Sequence, residues 1–415
     1  MNFLTRSKLS IMFFLEFFIW GGWFVTLGSY LGANLQATGA ESGMAFSTQS
    51  WGAIIAPFII GLIADKFINA EKILGILHLI GAVLMYQMSN VTEFDVFYPY
   101  VLGYMIAYMP TLALVNSIAF NTLEDPSKQF PIIRVWGTVG WIISGLLISL
   151  IFKWDSMQNL EDGMLSNTFF MVAIASAILG VFSFTLPKTP PSARGEKVTL
   201  SDILGLDALR LLKNKNFLIF FISSILISIP LAFYYQNLSP FLTESKLGNS
   251  TALISLGQAS EIIFMLLLPF FFKKFGFKKT ILLGMAAWVV RYALFAYGNT
   301  DDLFFMLLIG IALHGLCYDF FFVSGQIYTD SKAGKKIKSA AQGLITLATY
   351  GIGMLIGFWV AGIITDEFIT GPDAISGQNL HEWKSIWLYP AGFAGAVFIF
   401  FLLSFKDEKV EYTQE

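Results

Sequence analysis

Four ionisable side chains lie inside stretches that are otherwise apolar, and any chemistry of this chain has to be built around them. They are Glu16, Arg134, Glu261 and Asp319. A charged group near the centre of a lipid bilayer costs about 2.5–3.5 kcal/mol or more, so it usually faces a cavity or a partner. Helical spacing supplies each with neighbours. Arg134, Thr138 and Trp141 follow at i, i+4 and i+7 and form one stripe. Gln258 and Glu261 share a face at i and i+3. His314, Tyr318 and Phe322 share another, with Asp319 beside it, and Glu16 aligns with Trp20 and Trp23. Each stripe combines aromatic surface with one or two hydrogen-bonding groups. That combination suits a flat, polar, ring-bearing solute, which stacks on the aromatics and is oriented by the polar groups.

Plainer readings compete. Aromatic stripes pack more often than they bind, and Trp20 and Trp23 read as packing. Arg134 also reads as a charge at a cytoplasmic helix end, its long stem letting it snorkel. Arg291 reads as structural and Cys317 as a small packing residue. Gly353-xxx-Gly357 reads as a close helix contact rather than a phosphate loop. For Asp319 the rival is a structural pair with a neighbouring helix. His314 and Asp319 also make an H-x4-D pattern, seen in acyltransferases. Five residues of helix turn about 500°, which leaves the two roughly 140° apart and unable to act together.

The elements that position these groups follow from composition. Of 415 residues, 56% are hydrophobic and 13% charged, against about 25% charged in a soluble domain. The 42 Phe exceed what one soluble core uses. The net charge of -2 gives no sign of a nucleic-acid partner. A single Cys excludes an intrachain disulfide and a Cys-based metal cluster, and no metal or cofactor site is expected. The run from Leu9 to Leu31 is too long for a signal-peptide core and reads as a retained first span.

A spanning helix needs about 20 mostly apolar residues. Twelve spans are predicted, at 9–32, 44–64, 73–90, 96–122, 132–152, 165–186, 217–242, 251–272, 280–298, 303–328, 340–365 and 385–405. With the N-terminus cytoplasmic, every Lys and Arg falls in a cytoplasmic segment except Lys153, Lys246, Lys384, Arg134 and Arg291. That asymmetry sets both termini inside. The longest hydrophilic stretch, 187–216, separates a six-helix bundle at 1–186 from a second at 217–415. The expected architecture is an all-α polytopic membrane protein.

An internal repeat points the same way. Pro57-Phe58 leads into Gly61-Leu-Ile-Ala-Asp65-Lys66-Phe67, and 212 residues later Pro269-Phe270 leads into Lys273-Lys274-Phe275-Gly276. Parallel repeats of this kind are the plan of major facilitator transporters. The first copy resembles that superfamily's short signature, in which Asp65 would pin a cytoplasmic helix end.

Longer segments are more specific. Phe18-Ile-Trp20-Gly21-Gly-Trp23, Ala107-Tyr108-Met109-Pro110-Thr111, Pro131-Ile-Ile-Arg134-Val-Trp136-Gly137-Thr138, Leu204-Gly205-Leu206-Asp207-Ala208, Gln258-Ala-Ser260-Glu261, Trp288-Val-Val-Arg291, Asp319-Phe320-Phe321 and Ser339-Ala-Ala-Gln342-Gly343 resemble the nucleoside–proton symporter family over nearly the whole chain. The resemblance implies nucleoside uptake driven by protons, with protons the coupling ion. It implies a substrate site from Arg134, Thr138, Trp141, Tyr235, Gln258, Glu261, His314, Tyr318 and Phe322, with Glu261 or Asp319 carrying the proton. It also implies a monomer in lipid, and a bacterial inner membrane fits.

Two positions depart from the family pattern. The segment Ile229-Pro230-Leu-Ala-Phe233-Tyr234-Tyr235-Gln236-Asn237 lacks an expected polar pair unless Tyr235 or Gln236 substitutes. Glu16 stands where a neutral amide is expected. A proton symporter of a sugar or other small metabolite is therefore the alternative. A non-transporting sensor and a membrane enzyme are further rivals, with no signalling domain or catalytic cluster to favour them.

Overall fold

The computed structural model describes residues 3–59, 67–124, 126–191, 206–373 and 378–408. Residues 60–66, with Asp65 of the signature segment, and residues 192–205 of the central loop lie outside the described residues. Fourteen α-helices account for most of the rest. In chain order they are α1 (Phe3–Gly21), α2 (Leu27–Leu35), α3 (Gly39–Ile59), α4 (Ala70–Met88), α5 (Phe94–Thr122), α6 (Pro126–Leu146) and α7 (Met157–Glu161). There follow α8 (Ser166–Ser183), α9 (Lys215–Glu244), α10 (Ser250–Tyr297), α11 (Phe304–Tyr318), α12 (Ser324–Thr346), α13 (Met354–Glu367) and α14 (Trp383–Ser404).

Nine helical stretches among the described residues are long and apolar enough to cross a membrane. They do not resolve as twelve separate spans, for local reasons. The first predicted span breaks at Gly21-Gly22 into α1 and α2. A Cβ on Gly21 would lie 2.8 Å from Trp141, and one on Gly22 2.8 Å from Val172. Both glycines admit neighbours that a side chain would exclude, and a glycine pair is a weak place in a helix. The eighth and ninth spans run together as the 48-residue α10, broken only at Gly276, whose φ of 75° is left-handed. π-Helical segments at Leu147–Ile151, Asp319–Val323 and Leu347–Gly353 lie within three other spans without dividing them.

Apolar side chains cover the outer face as well as the core. On α8, Phe170, Ile174, Ile178 and Val181 are exposed at three- and four-residue spacing, while Phe169, Val172 and Leu179 are buried. A helix apolar on both faces is a lipid-facing helix. The chain is a multi-pass membrane protein.

Two compact units are present. One comprises Met1–Ala37 and Thr48–Ile203, the other Thr38–Ser47 and Leu204–Gln414. In the first, Gly140 lets α6 cross α1 closely, since a Cβ there would stand 2.1 Å from the Phe14 carbonyl oxygen. In the second, Gly353 and Gly357 do the same against α9, where added Cβ atoms would meet Ile225 O at 2.5 Å and the Ala232 Cβ at 2.6 Å. These glycines are packing residues, as small-residue helix contacts in membranes are. Asp366 at the end of α13 accepts hydrogen bonds from the first backbone amides of α3, Gly39 N at 2.6 Å and Ala40 N at 2.8 Å. A carboxylate so placed caps the amide end of a helix. A short hairpin of β1 (Ile369–Pro372) and β2 (Asn379–His381) is tied to the end of α9: Glu244 accepts from His381 N and Trp383 Nε1.

Candidate functional site

In the first unit the α1–α6 crossing at Gly137 and Gly140 brings Arg134, Thr138 and Trp141 to the flank of α1. All three are half-buried. The Arg134 guanidinium carbon lies 4.1 Å from the Phe17 ring centroid, a cation–π contact. Trp141 lies 5.5 Å from Trp20, and Trp20 lies 5.7 Å from Tyr108. Trp20, read as packing from the sequence, is buried. It joins the aromatic layer next to Trp141, and its indole N–H is buried without a partner among the described residues. Trp23 is core, fully buried between Tyr104 and Phe169.

Behind this layer sits a polar cluster that sequence reasoning did not assemble. Glu16 Oε2 is 2.8 Å from His78 Nε2, and His78 Nδ1 is 3.2 Å from Ser176 Oγ. Thr111 Oγ1 lies 2.6 Å from Glu16 Oε1, and the Tyr108 hydroxyl donates to the Glu16 carbonyl at 2.8 Å. Glu16 and His78 are almost wholly buried. Four helices, α1, α4, α5 and α8, meet at these side chains. The unusual carboxylate of α1 thus has an imidazole for its counterpart.

In the second unit a second close crossing does the positioning. A Cβ on Gly315 would lie 2.5 Å from the Glu261 amide nitrogen, and one on Gly257 would lie 3.2 Å from His314 Cβ. Ser260 Oγ accepts from the Gly315 amide at 3.0 Å. This contact sets Glu261 Oε1 3.0 Å from His314 Nε2. His314 is fully buried, whereas the Glu261 side chain keeps 20% of its surface. Behind the histidine, Arg291 Nη1 lies 2.9 Å from His314 Nδ1. Arg291 is fully buried, with its guanidinium carbon 3.5 Å from the Tyr234 ring centroid. It lies inside this cluster, between the His314 and Tyr234 rings.

Around these groups stand aromatic faces. Tyr234 stacks on His314 at 4.8 Å, Tyr235 meets it edge-on at 6.3 Å, and Tyr318 lies 5.8 Å away. Tyr318 contacts Phe322 at 5.0 Å, and its hydroxyl shares a 2.7 Å hydrogen bond with that of Tyr350. Gln258, one turn before Glu261, has no partner for its amide oxygen among the described residues. Gln236 points elsewhere: in the amide orientation that satisfies both ends, its nitrogen donates to the Phe358 carbonyl at 3.1 Å and its oxygen accepts from the Gly362 amide at 3.3 Å. Of the two candidate substitutes on α9, it is Tyr235 that stands beside the cluster. Asp319, at the start of a π-helical turn, is fully buried, and neither carboxyl oxygen has a hydrogen-bond partner among the described residues. π-Turns recur at functional positions.

Arg291, Tyr234, Tyr350 and the Glu16–His78 pair are the groups that sequence reasoning did not bring to these sites. The signal for Arg291 was available, because a cation deep in an apolar helix requires a partner. Its partner lies on another helix, and spacing within one helix cannot name it.

The geometry sets one prediction. Gly315→Val forces its side chain into the Ser260–Glu261 backbone. Overpacking of this kind costs about 1–3 kcal/mol. The variant is expected to lower the melting temperature in detergent and to lose uptake, because Glu261 and His314 are driven apart. Uptake at the wild-type rate would show that the crossing has slack.

The profile of the family described as nucleoside H+ symporter matches residues 3–410. The protein YegT of Escherichia coli K12 is 42% identical, over 99% of this chain and 96% of its own length. The xanthosine permease of the same organism is 35% identical over 98% of each chain. A crystal structure of the nucleoside transporter NupG superposes with a TM-score of 0.84 at 31% identity, covering 98% of this chain and 100% of that one.

Proposed function

This chain belongs to the nucleoside H+ symporter family and moves nucleosides together with protons, and from that premise we propose which residues do the work. The residues proposed to meet the nucleoside are Arg134, Thr138, Trp141, Tyr235, Gln258, Glu261, His314, Tyr318 and Phe322. Aromatic faces take the base, and polar groups orient base and ribose. Bundles 1–186 and 217–415 alternate in opening the site to either side, with both termini cytoplasmic in a bacterial inner membrane.

Glu261 carries the coupling proton. The observation behind this choice is the contrast in access between the two carboxyls: Glu261 is half-buried beside an imidazole and retains exposed surface, while Asp319 is sealed. A coupling proton has to enter and leave on every turnover. Glu261 takes it up outside, the neutral acid donates a hydrogen bond to the nucleoside, and the proton leaves on the cytoplasmic side.

Competition tests the substrate class. Labelled uridine uptake is expected to fall with excess uridine or adenosine and to be indifferent to sugars; competition by sugars alone would overturn the nucleoside reading. A second test concerns Trp141. Stacking of a base on an aromatic side chain is worth about 1–3 kcal/mol. Trp141→Ala is expected to raise the KM for uridine about tenfold or more, with Trp141→Phe much milder. An unchanged KM in the alanine variant would remove Trp141 from the site.

A further inference from the structure

Arg291 and His314 make a contact with only one chemically sensible polarity. A guanidinium has donors and no acceptor, and stays charged throughout the accessible pH range. Its Nη1 lies 2.9 Å from His314 Nδ1, so Nδ1 has to accept and carries no proton. The remaining ring nitrogen, Nε2, then holds the hydrogen and lies 3.0 Å from Glu261 Oε1. That contact is short but off the hydrogen-bond axis. Such contacts often tighten only when substrate binds.

We infer that Arg291 is a positioning residue: it fixes His314 as the Nε2–H tautomer, so that the imidazole serves as a constant neutral donor to Glu261 and takes no proton during transport. The inference rests on the reading of Glu261 as the coupling carboxylate.

The surroundings agree. The other titratable or charged groups facing the ring are Tyr234 and Tyr235 from α9, Glu261 and Arg291 from α10, and Tyr318 on its own helix. None of the tyrosines is a base that would draw a proton onto Nδ1. A second cation on the imidazole would stand against the guanidinium, and Arg291 already lacks partners for Nε and Nη2 among the described residues. The arrangement also gives the ionised Glu261 a countercharge one ring away. Histidine is the side chain that ordinarily titrates between pH 5 and 8. Here the neighbour removes that freedom, and the proton traffic falls to the carboxylate alone.

The test is nitrogen-15 NMR of the full-length protein with labelled histidine, reconstituted in lipid. The His314 signal is identified by its loss in His314→Gln. The expected result is the neutral Nε2–H pattern at every pH from about 5 to 8. An imidazolium signal, or the opposite tautomer, within that window would overturn the inference. As a second readout, Arg291→Met frees Nδ1 and is expected to shift the acid limb of the uptake–pH profile by about one pH unit, with Arg291→Lys restoring part of it. An acid limb that stays in place in the methionine variant, with uptake retained, would also overturn it. The spectroscopic result does not depend on transport. Failure of the Glu261 reading would appear instead as normal pH-driven accumulation in Glu261→Gln, so the two failures are distinguishable.

Discussion

Glu261→Gln, reconstituted into proteoliposomes, is expected to exchange or equilibrate nucleoside but no longer concentrate it. A glutamine keeps the shape of the side chain and can still donate or accept toward His314 and a bound solute. It cannot take up or release a proton. For one proton per nucleoside, a gradient of two pH units supports accumulation of about 100-fold, since each tenfold ratio corresponds to about 1.4 kcal/mol. The variant should lose all of it and settle at equal concentrations inside and out, while counterflow persists. The contrast with Asp319 gives the experiment its edge. Asp319 is the fully buried carboxyl next to this cluster, and it has neither exposure nor a hydrogen-bond partner among the described residues. Were Glu261→Gln to accumulate nucleoside normally, Asp319 would become the proton carrier and the exposure of Glu261 would need another explanation.

Glu16→Ala is expected to unfold the first unit more easily by several kcal/mol while Glu16→Gln does not. The carboxylate contacts His78 and Thr111, and its backbone carbonyl accepts from Tyr108. Removing one member of a buried pair leaves the other without compensation and costs about 3–5 kcal/mol, whereas exchanging both for apolar groups is often neutral. A glutamine preserves the hydrogen bonds to His78 and Thr111 without the charge. The check is a thermal-unfolding series in detergent: the alanine variant should show a much lower transition than wild type, with Glu16→Leu combined with His78→Leu recovering most of the loss. Equal transitions for alanine and wild type would mean that the cluster contributes nothing to stability. Because Trp20 and Tyr108 lie directly over this cluster, a loosened Glu16 should also weaken nucleoside binding by disordering the wall beside Trp141.

These sites show what a sequence discloses and what it withholds. Spans were legible because twenty apolar residues in a row are required by the hydrocarbon thickness and are scarce elsewhere. Stripes such as His314–Tyr318–Phe322 were legible because helical spacing is a property of one segment, and their rings do lie in contact. The breaks were harder. Gly21-Gly22 interrupts the first span because two neighbours press on it, and Gly276 turns inside an otherwise continuous helix. Least legible were pairings between helices. Glu16 and His78 are 62 positions apart, and Arg291 and His314 are 23. Each residue announces that it needs a partner, but only the crossing of helices, set here by Gly140 and Gly315, says which one. Arg291 reads as structural from sequence for that reason, and Gln236, which spacing alone ranks with Tyr235, bonds to Phe358 and Gly362 of α13 instead.

The central claim is that this chain concentrates nucleosides at the expense of a proton gradient. Radiolabelled uridine uptake into proteoliposomes, with and without an imposed inward proton gradient, tests it most directly. The expected result is accumulation above the outside concentration only when the gradient is present, abolished by a protonophore. Uptake that merely equilibrates in both conditions, or no uptake of any nucleoside while another solute is concentrated, would contradict it.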